Sequence, residues 1–285
     1  MKVVHKVEEC AVYESNKHSY AHALSRISSP SLDTPIKTFL LKISSSGSPE
    51  IASTLLSYIA KSLKQVYSYT STSVKFKALQ VVPLKSFIEH VHSDAEMLGM
   101  AYTLILKLLA DIGTQLEQIR SERDLVVPFL SLEDIIVVIR MRDEKDGQHQ
   151  HEQHEHEQHE EINKMIFYFI YINSEKLIQQ KQQQSNAYSN KELVVDVPLK
   201  VNKNTSFLPP ELPESALKRL PMRLTATSWY YSLSTLCIYA LLQHKFKNGE
   251  DDIERIGRPF LHTPLYFCLK RCLKQDPEQR VLLYV

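Results

Sequence analysis

Glycine is scarce in this chain: six residues in 285, the first of them Gly47. Without glycine the first 46 residues cannot form a Gly-rich loop, because only glycine lets backbone amides close tightly on a phosphate. Cysteine is scarce too. The four (Cys10, Cys237, Cys268 and Cys272) include no CxxC pair and no metal-ligand spacing. Cys268 and Cys272 lie four apart in a helical pattern, so they read as buried free thiols in a reducing compartment. Neither sign of charge is in excess: 34 Lys plus Arg against 33 Asp plus Glu. That balance exerts no global pull toward nucleic acid or an anionic membrane. Long apolar runs are missing. Met165–Ile172 and Leu236–Leu242 are the most apolar, far below the roughly 20 residues of a membrane span. The opening MKVVHKVEEC carries charges throughout, unlike a signal peptide. The expectation is a soluble, intracellular protein, cytoplasmic or nuclear, with no nucleic-acid or membrane partner.

What is present is enough apolar residue, 43% of the chain, to bury one large domain or two lobes. The first part mixes β-like runs with one helix. Val3–Tyr13, Tyr20–Ile27 and Lys37–Ile43 are rich in β-branched and aromatic residues, and Val74–Val82 reads as a further strand. Between them, SPEIASTLLSYIAKSLKQV opens a helix with Ser48 as N-cap and Pro49 at its first position. Its apolar Ile51, Leu55, Ile59 and Leu63 share one face. From Ser93 a long apolar-rich helix follows, then a turn running into a strand at Ser131–Arg140, then the β-prone Met165–Ile172. The Gln-rich stretch and the chain up to Ser206 read as irregular loop, and the last ~75 residues as helical. There is no internal repeat.

Residues 142–163 are of low complexity, with His149, His151, His154, His156 and His159 interleaved with Glu and Gln. Such a composition cannot pack a core, so the tract reads as a solvated insertion. Imidazoles at this density bind Zn²⁺, Ni²⁺ or Cu²⁺ weakly, but without the fixed spacing of a structural site. The aromatics Phe167, Tyr168, Phe169 and Tyr171 read as strand packing rather than a ligand platform.

Three ordered segments carry a family resemblance. FLPPEL (207–212) resembles the A-P-E motif that closes a protein-kinase activation segment. SWYYSLSTLCIYALL (228–242) resembles the kinase helix D-x-W-S-x-G-x-x-x-x-E-L-L, with Tyr231 and Ser232 on W-S and Trp229 on the Asp. TPLYFCLKRCLKQDPEQRV (263–281) resembles L-x-x-x-L-x-x-D-P-x-x-R, with Leu269, Leu273, Asp276, Pro277 and Arg280 in register. The resemblance implies a two-lobed α+β protein-kinase-like fold: a small β-rich N-lobe at 1–84 and a larger helical C-lobe at 85–285. The C-lobe would hold the insertion 142–163 and a degenerate activation segment at 173–206. It also implies an ion pair between Glu211 and Arg280, 69 residues apart. A buried carboxylate is costly alone, and arginine can bind it with two parallel hydrogen bonds.

The chemical motifs depart from the family. The catalytic loop H-R-D-L-x-x-x-N aligns with VPFLSLED (127–134), which puts Phe129 on the base and Asp134 on the metal-binding Asn. Phenylalanine cannot accept the proton of a substrate hydroxyl. Asn173-Ser174-Glu175 stands where D-F-G should, leaving Asn173 as a weak oxygen ligand for Mg²⁺. FLLK (39–42) resembles V-A-I-K, which makes Lys42 either the phosphate-contacting lysine or a surface lysine on an amphipathic strand. The only acid in the next helix is Glu50 at its start, where capping accounts for it. Trp229 in place of the Asp leaves the catalytic loop without its usual hydrogen-bond anchor.

Structural motifs remain while chemical ones are gone, the pattern of a pseudokinase. The resemblance then implies a catalytically inactive scaffold or allosteric regulator of a protein partner, an active kinase among the candidates. No catalytic residue and no cofactor is required, and any ATP binding is weak. One rival is a divergent active Ser/Thr kinase binding ATP through Lys42 on phosphate and Asp134 on a metal. The other is an unrelated helical interaction domain.

Overall fold

The computed structural model describes residues 2–7, 10–14, 36–43, 48–63, 66–141, 165–179, 192–195, 199–212 and 221–282. The expected strand Tyr20–Ile27, the histidine tract and the Gln-rich stretch lie outside them. Sheets dominate the N-terminal part and helices the C-terminal part, an α+β architecture. The chain divides into two compact units, Met1–Leu104 with Ile135–Ser174, and Ile105–Asp134 with Glu175–Val285.

The first unit is built on an antiparallel five-stranded sheet: β1 (Lys2–Val7), β2 (Cys10–Glu14), β3 (Lys37–Ile43), β4 (Val66–Tyr69) and β5 (Ser73–Ala78). Their order is β1-β2-β3-β5-β4. The period-two alternation of β3 sends Phe39, Leu41 and Ile43 into the core and leaves Lys42 exposed. Helix α1 (Pro49–Leu63) connects β3 to β4 and buries Leu55, Leu56, Ile59 and Leu63. The expected strand Val74–Val82 is two strands: after Leu79 the chain enters a second sheet as β6 (Gln80–Pro83).

That second sheet joins β6 to β9 (Ile135–Met141) and β10 (Met165–Tyr171), in the order β10-β9-β6. Ile135–Ile139 is apolar without alternation because the strand is buried on both faces. Arg140 is also buried, and its Nη1 donates to the carbonyl of Leu63 at 2.6 Å, satisfying an orphan acceptor at the end of α1. Its guanidinium lies 5.5 Å from the Tyr168 ring. Helix α2 (Leu84–Ser93) sets Phe87 5.6 Å from Phe167 and 5.7 Å from Phe169, which places that aromatic cluster in the core. Because β6 pairs with β9, the unit is discontinuous in sequence, where the expectation was one boundary after residue 84.

Helix formation begins at Leu84, not Ser93, since Leu84, Phe87, Ile88 and Val91 already form a buried stripe. The long helix is interrupted as well. The Asp94 carboxylate accepts from the Glu96 and Met97 amides, starting α3 (Ala95–Gly99) afresh, and α4 runs from Ala101 to Arg123.

The second unit centres on α5 (Ser228–Leu242), which buries residues on every side, as expected of a helix apolar all round. It packs on α7 (Pro264–Cys272), with the short α6 (Ile253–Ile256) between them in sequence. Three two-stranded ladders complete the unit: β7 (Leu125–Val126) with β11 (Ile178–Gln179), β8 (Leu130–Ser131) with β13 (Ser206–Phe207), and β12 (Glu192–Val195) with β14 (Met222–Thr225). The last ladder corrects two expectations. The chain before Ser206 is not all loop, and the C-terminal region is not all helix. Among the described residues no helix is long and apolar enough to cross a membrane.

Candidate functional site

Residues 127–134 run through β8 and a single 3-10 turn, Leu132–Asp134. Phe129 is fully buried, and Asp134 is 1% exposed. The Ser131 amide donates to Asp134 Oδ2 at 2.8 Å, closing the turn on the carboxylate. Lys176 enters from the segment after the Asn173-Ser174-Glu175 triplet. Its Nζ donates to Asp134 Oδ2 at 2.7 Å and to Ser131 Oγ at 2.8 Å, and stands 4.3 Å from the Phe129 ring centroid. An ammonium has three donors and no acceptor. Two oxygens and an aromatic face therefore enclose it, with the lysine side chain only 7% exposed.

The network extends outward. Ser131 Oγ lies 2.8 Å from Ser206 Oγ, which accepts from the Asn202 amide at 3.1 Å. Thr205 Oγ1 reaches both oxygens of Glu133, at 2.6 and 2.7 Å. With the β8–β13 ladder, these contacts tie Thr205, Ser206 and Phe207 to residues 130–133.

The loop also has an anchor on α5. The Leu130 amide donates to Ser232 Oγ at 2.6 Å, and Ser232 donates to the Phe207 carbonyl at 2.5 Å. The expectation that Trp229 leaves the loop unanchored is therefore corrected. Trp229 is a buried core residue set edge-on to Tyr230, and a serine three positions on ties two strands at once.

Glu211 and Arg280 are brought together. Arg280 Nη1 donates to Glu211 Oε1 at 2.6 Å and Nη2 to Oε2 at 2.8 Å, a two-pronged pair. Its Nε donates to the Lys274 carbonyl at 2.8 Å, Nη2 also to the Gln275 carbonyl at 3.1 Å, and its Cζ lies 5.1 Å from the Tyr231 ring. The arginine side chain is 0% exposed and that of Glu211 20%. Burial is the main reason the Tyr231 phenol is pushed up to about 12, with Arg280 acting in the opposite direction.

The remaining expected site residues are placed as follows. Lys42 is exposed in the middle of its sheet, across from Ala11 and Ser73. Glu50 is exposed at the start of α1. Asn173 is buried in the first unit, whereas Asp134 belongs to the second. No group of three or more His, Cys, Asp or Glu suited to a metal occurs among the described residues. As placed, the Asp134 surroundings do not fit a divalent ion. Asp134 Oδ2 already accepts from the Ser131 amide and the Lys176 ammonium. Sequence reading missed Lys176, Ser131 and Ser206. A lysine in a polar stretch, 42 residues from its carboxylate, carries no local sign that it will be buried.

No protein-family model matches the chain, and no curated protein does. Among solved structures, the crystal structure of a rhoptry kinase from Toxoplasma gondii aligns with a TM-score of 0.48 at 13% identity. The alignment covers 97% of this chain and 72% of that one.

Proposed function

We propose that this chain is a protein-kinase-like domain without phosphoryl-transfer chemistry, a pseudokinase that acts as a scaffold or allosteric partner of another protein. The observation that carries this reading is the enclosed ammonium of Lys176, held by Asp134, Ser131 and the buried Phe129 ring. Phosphoryl transfer needs a carboxylate near the substrate hydroxyl and oxygens free to hold metal. Here the position aligned with the base is a buried aromatic, and the aligned metal ligand already neutralises an internal cation. Each such loss typically costs a factor of about 10² in rate.

Two further features support the kinase-like half of the reading. One is the Glu211–Arg280 fork at the spacing the motifs imply. The other is an antiparallel sheet with its helix inserted after the third described strand. A body that keeps such buried structural pairs while its polar loop is closed on itself is suited to act through shape.

The test is phosphate transfer from γ-labelled ATP by the purified chain, to itself and to generic protein substrates, with Mg²⁺ or Mn²⁺. No transfer above background is expected, and any thermal shift with ATP should be independent of the metal. Robust autophosphorylation that disappears in Lys42→Ala or Asp134→Ala would establish the divergent kinase instead.

A further inference from the structure

The five-stranded sheet of the first unit has two unlike faces. One is apolar and carries Phe39, Leu41, Val74 and Phe76. The strand registers place Lys6, Lys42, Lys75 and Lys77 on the other, through the pairs Lys6↔Ala11, Ala11↔Lys42, Lys42↔Ser73 and Thr38↔Lys77. The only acid in the described residues of these strands is Glu14, which is buried with Lys37 Nζ 2.9 Å away. The lysine face therefore has no carboxylate of its own strands to balance it. Net charge gave no hint of this, because +1 for the whole chain conceals a local excess.

The excess is concentrated at one end of the sheet. Lys75 Nζ and Lys77 Nζ lie 5.4 and 5.8 Å from the centroid of the same tyrosine ring, that of Tyr67. Tyr67 is itself 69% exposed. Two like charges held against one aromatic ring repel each other, and an anion set beside them would relieve that repulsion. Tyr67 belongs to β4, the terminal strand of the sheet, which pairs with β5 and with no other described strand. The β4–β5 register shifts between Val66 and Ser68, at Tyr67; the four residues of β4 include no proline, and their outer edge offers backbone donors and acceptors for another strand.

We propose that β4 is a docking edge for an extended acidic segment of a protein partner. The segment would add as a strand beside β4, with carboxylates at alternate positions facing Lys75 and Lys77. Side chains two apart on a strand share a face, so alternate acids meet the side of the sheet that bears the lysines. Strands lie about 4.8 Å apart, which sets the added strand about 10 Å from β5. A lysine and a glutamate together bridge that span. Main-chain pairing supplies affinity, and the lysines supply selectivity for acids and a fast encounter. Single-stranded nucleic acid fits less well. A sugar-phosphate backbone cannot continue a β-ladder. This inference does not rest on the absence of kinase activity.

The test is fluorescence anisotropy of the full chain with a labelled dodecapeptide of alternating Glu and Thr. Saturable binding weakened by salt is expected. The variant Lys75→Glu/Lys77→Glu should lose affinity by roughly tenfold or more, with circular dichroism and melting unchanged because both sites are on the surface. A dodecapeptide with proline at alternate positions should bind at least as poorly, because it cannot form the ladder. Failure of the wild type to bind the Glu-Thr peptide would overturn the proposal. So would indifference to the charge reversal or to proline, or tighter Lys75- and Lys77-dependent binding of oligo(U).

Discussion

Arg280→Ala tests the packing of the second unit most directly. The substitution removes a guanidinium that is 0% exposed and makes four hydrogen bonds, two of them to Glu211. Removing one partner of a buried ion pair costs about 3–5 kcal/mol, because the other is left charged and poorly solvated. Glu211 keeps a 20% exposed side chain, so water can partly solvate it and the lower end applies. We therefore expect a loss of about 3 kcal/mol, to which the stranded Lys274 and Gln275 carbonyls contribute. In urea, with m near 3 kcal/mol per M, the midpoint should fall by about 1 M at unchanged m. The double variant Glu211→Gln/Arg280→Met should lose less than the sum of its single variants, since no unpaired charge remains. A loss below about 1 kcal/mol for Arg280→Ala would refute the argument that this pair is closed to solvent.

Two further outcomes follow from the same reasoning. Lys176→Met should destabilise by about 3–5 kcal/mol, because Asp134 would stay buried with its main counter-charge gone. Most of that should return in Lys176→Met/Asp134→Asn, as read by denaturant titration. The four cysteines are buried; burial pushes the Cys10 thiol up to about 12 and raises that of Cys237, while a hydrogen bond with Cys268, with burial second, raises that of Cys272. Ellman's reagent at mildly alkaline pH should therefore find almost no reactive thiol in the native chain and all four in denaturant.

Local pattern determined much of this protein. KTFLLKI read as a strand and is β3, Pro49 after Ser48 marked the start of α1, and Ser131–Arg140 read as a turn running into a strand, which is β9. The resemblance of FLPPEL and DPEQR to kinase motifs implied two partners 69 residues apart, and the structure pairs them. The resemblance also set Phe129 where the family has its base, and phenylalanine cannot accept a proton. Tertiary structure decided what depends on neighbours distant in sequence. Lys176 is an ordinary polar residue until the β8–β13 ladder and the turn at Asp134 enclose its ammonium. Ser232 looks like a place-holder until Leu130 and Phe207 arrive on either side of its hydroxyl. The ladder of Glu192–Val195 with Met222–Thr225 was invisible for the same reason: short strands gain their stability from a partner, and local sequence does not say who that partner is. The lysine face of the first sheet emerges only when the registers set four separated residues side by side.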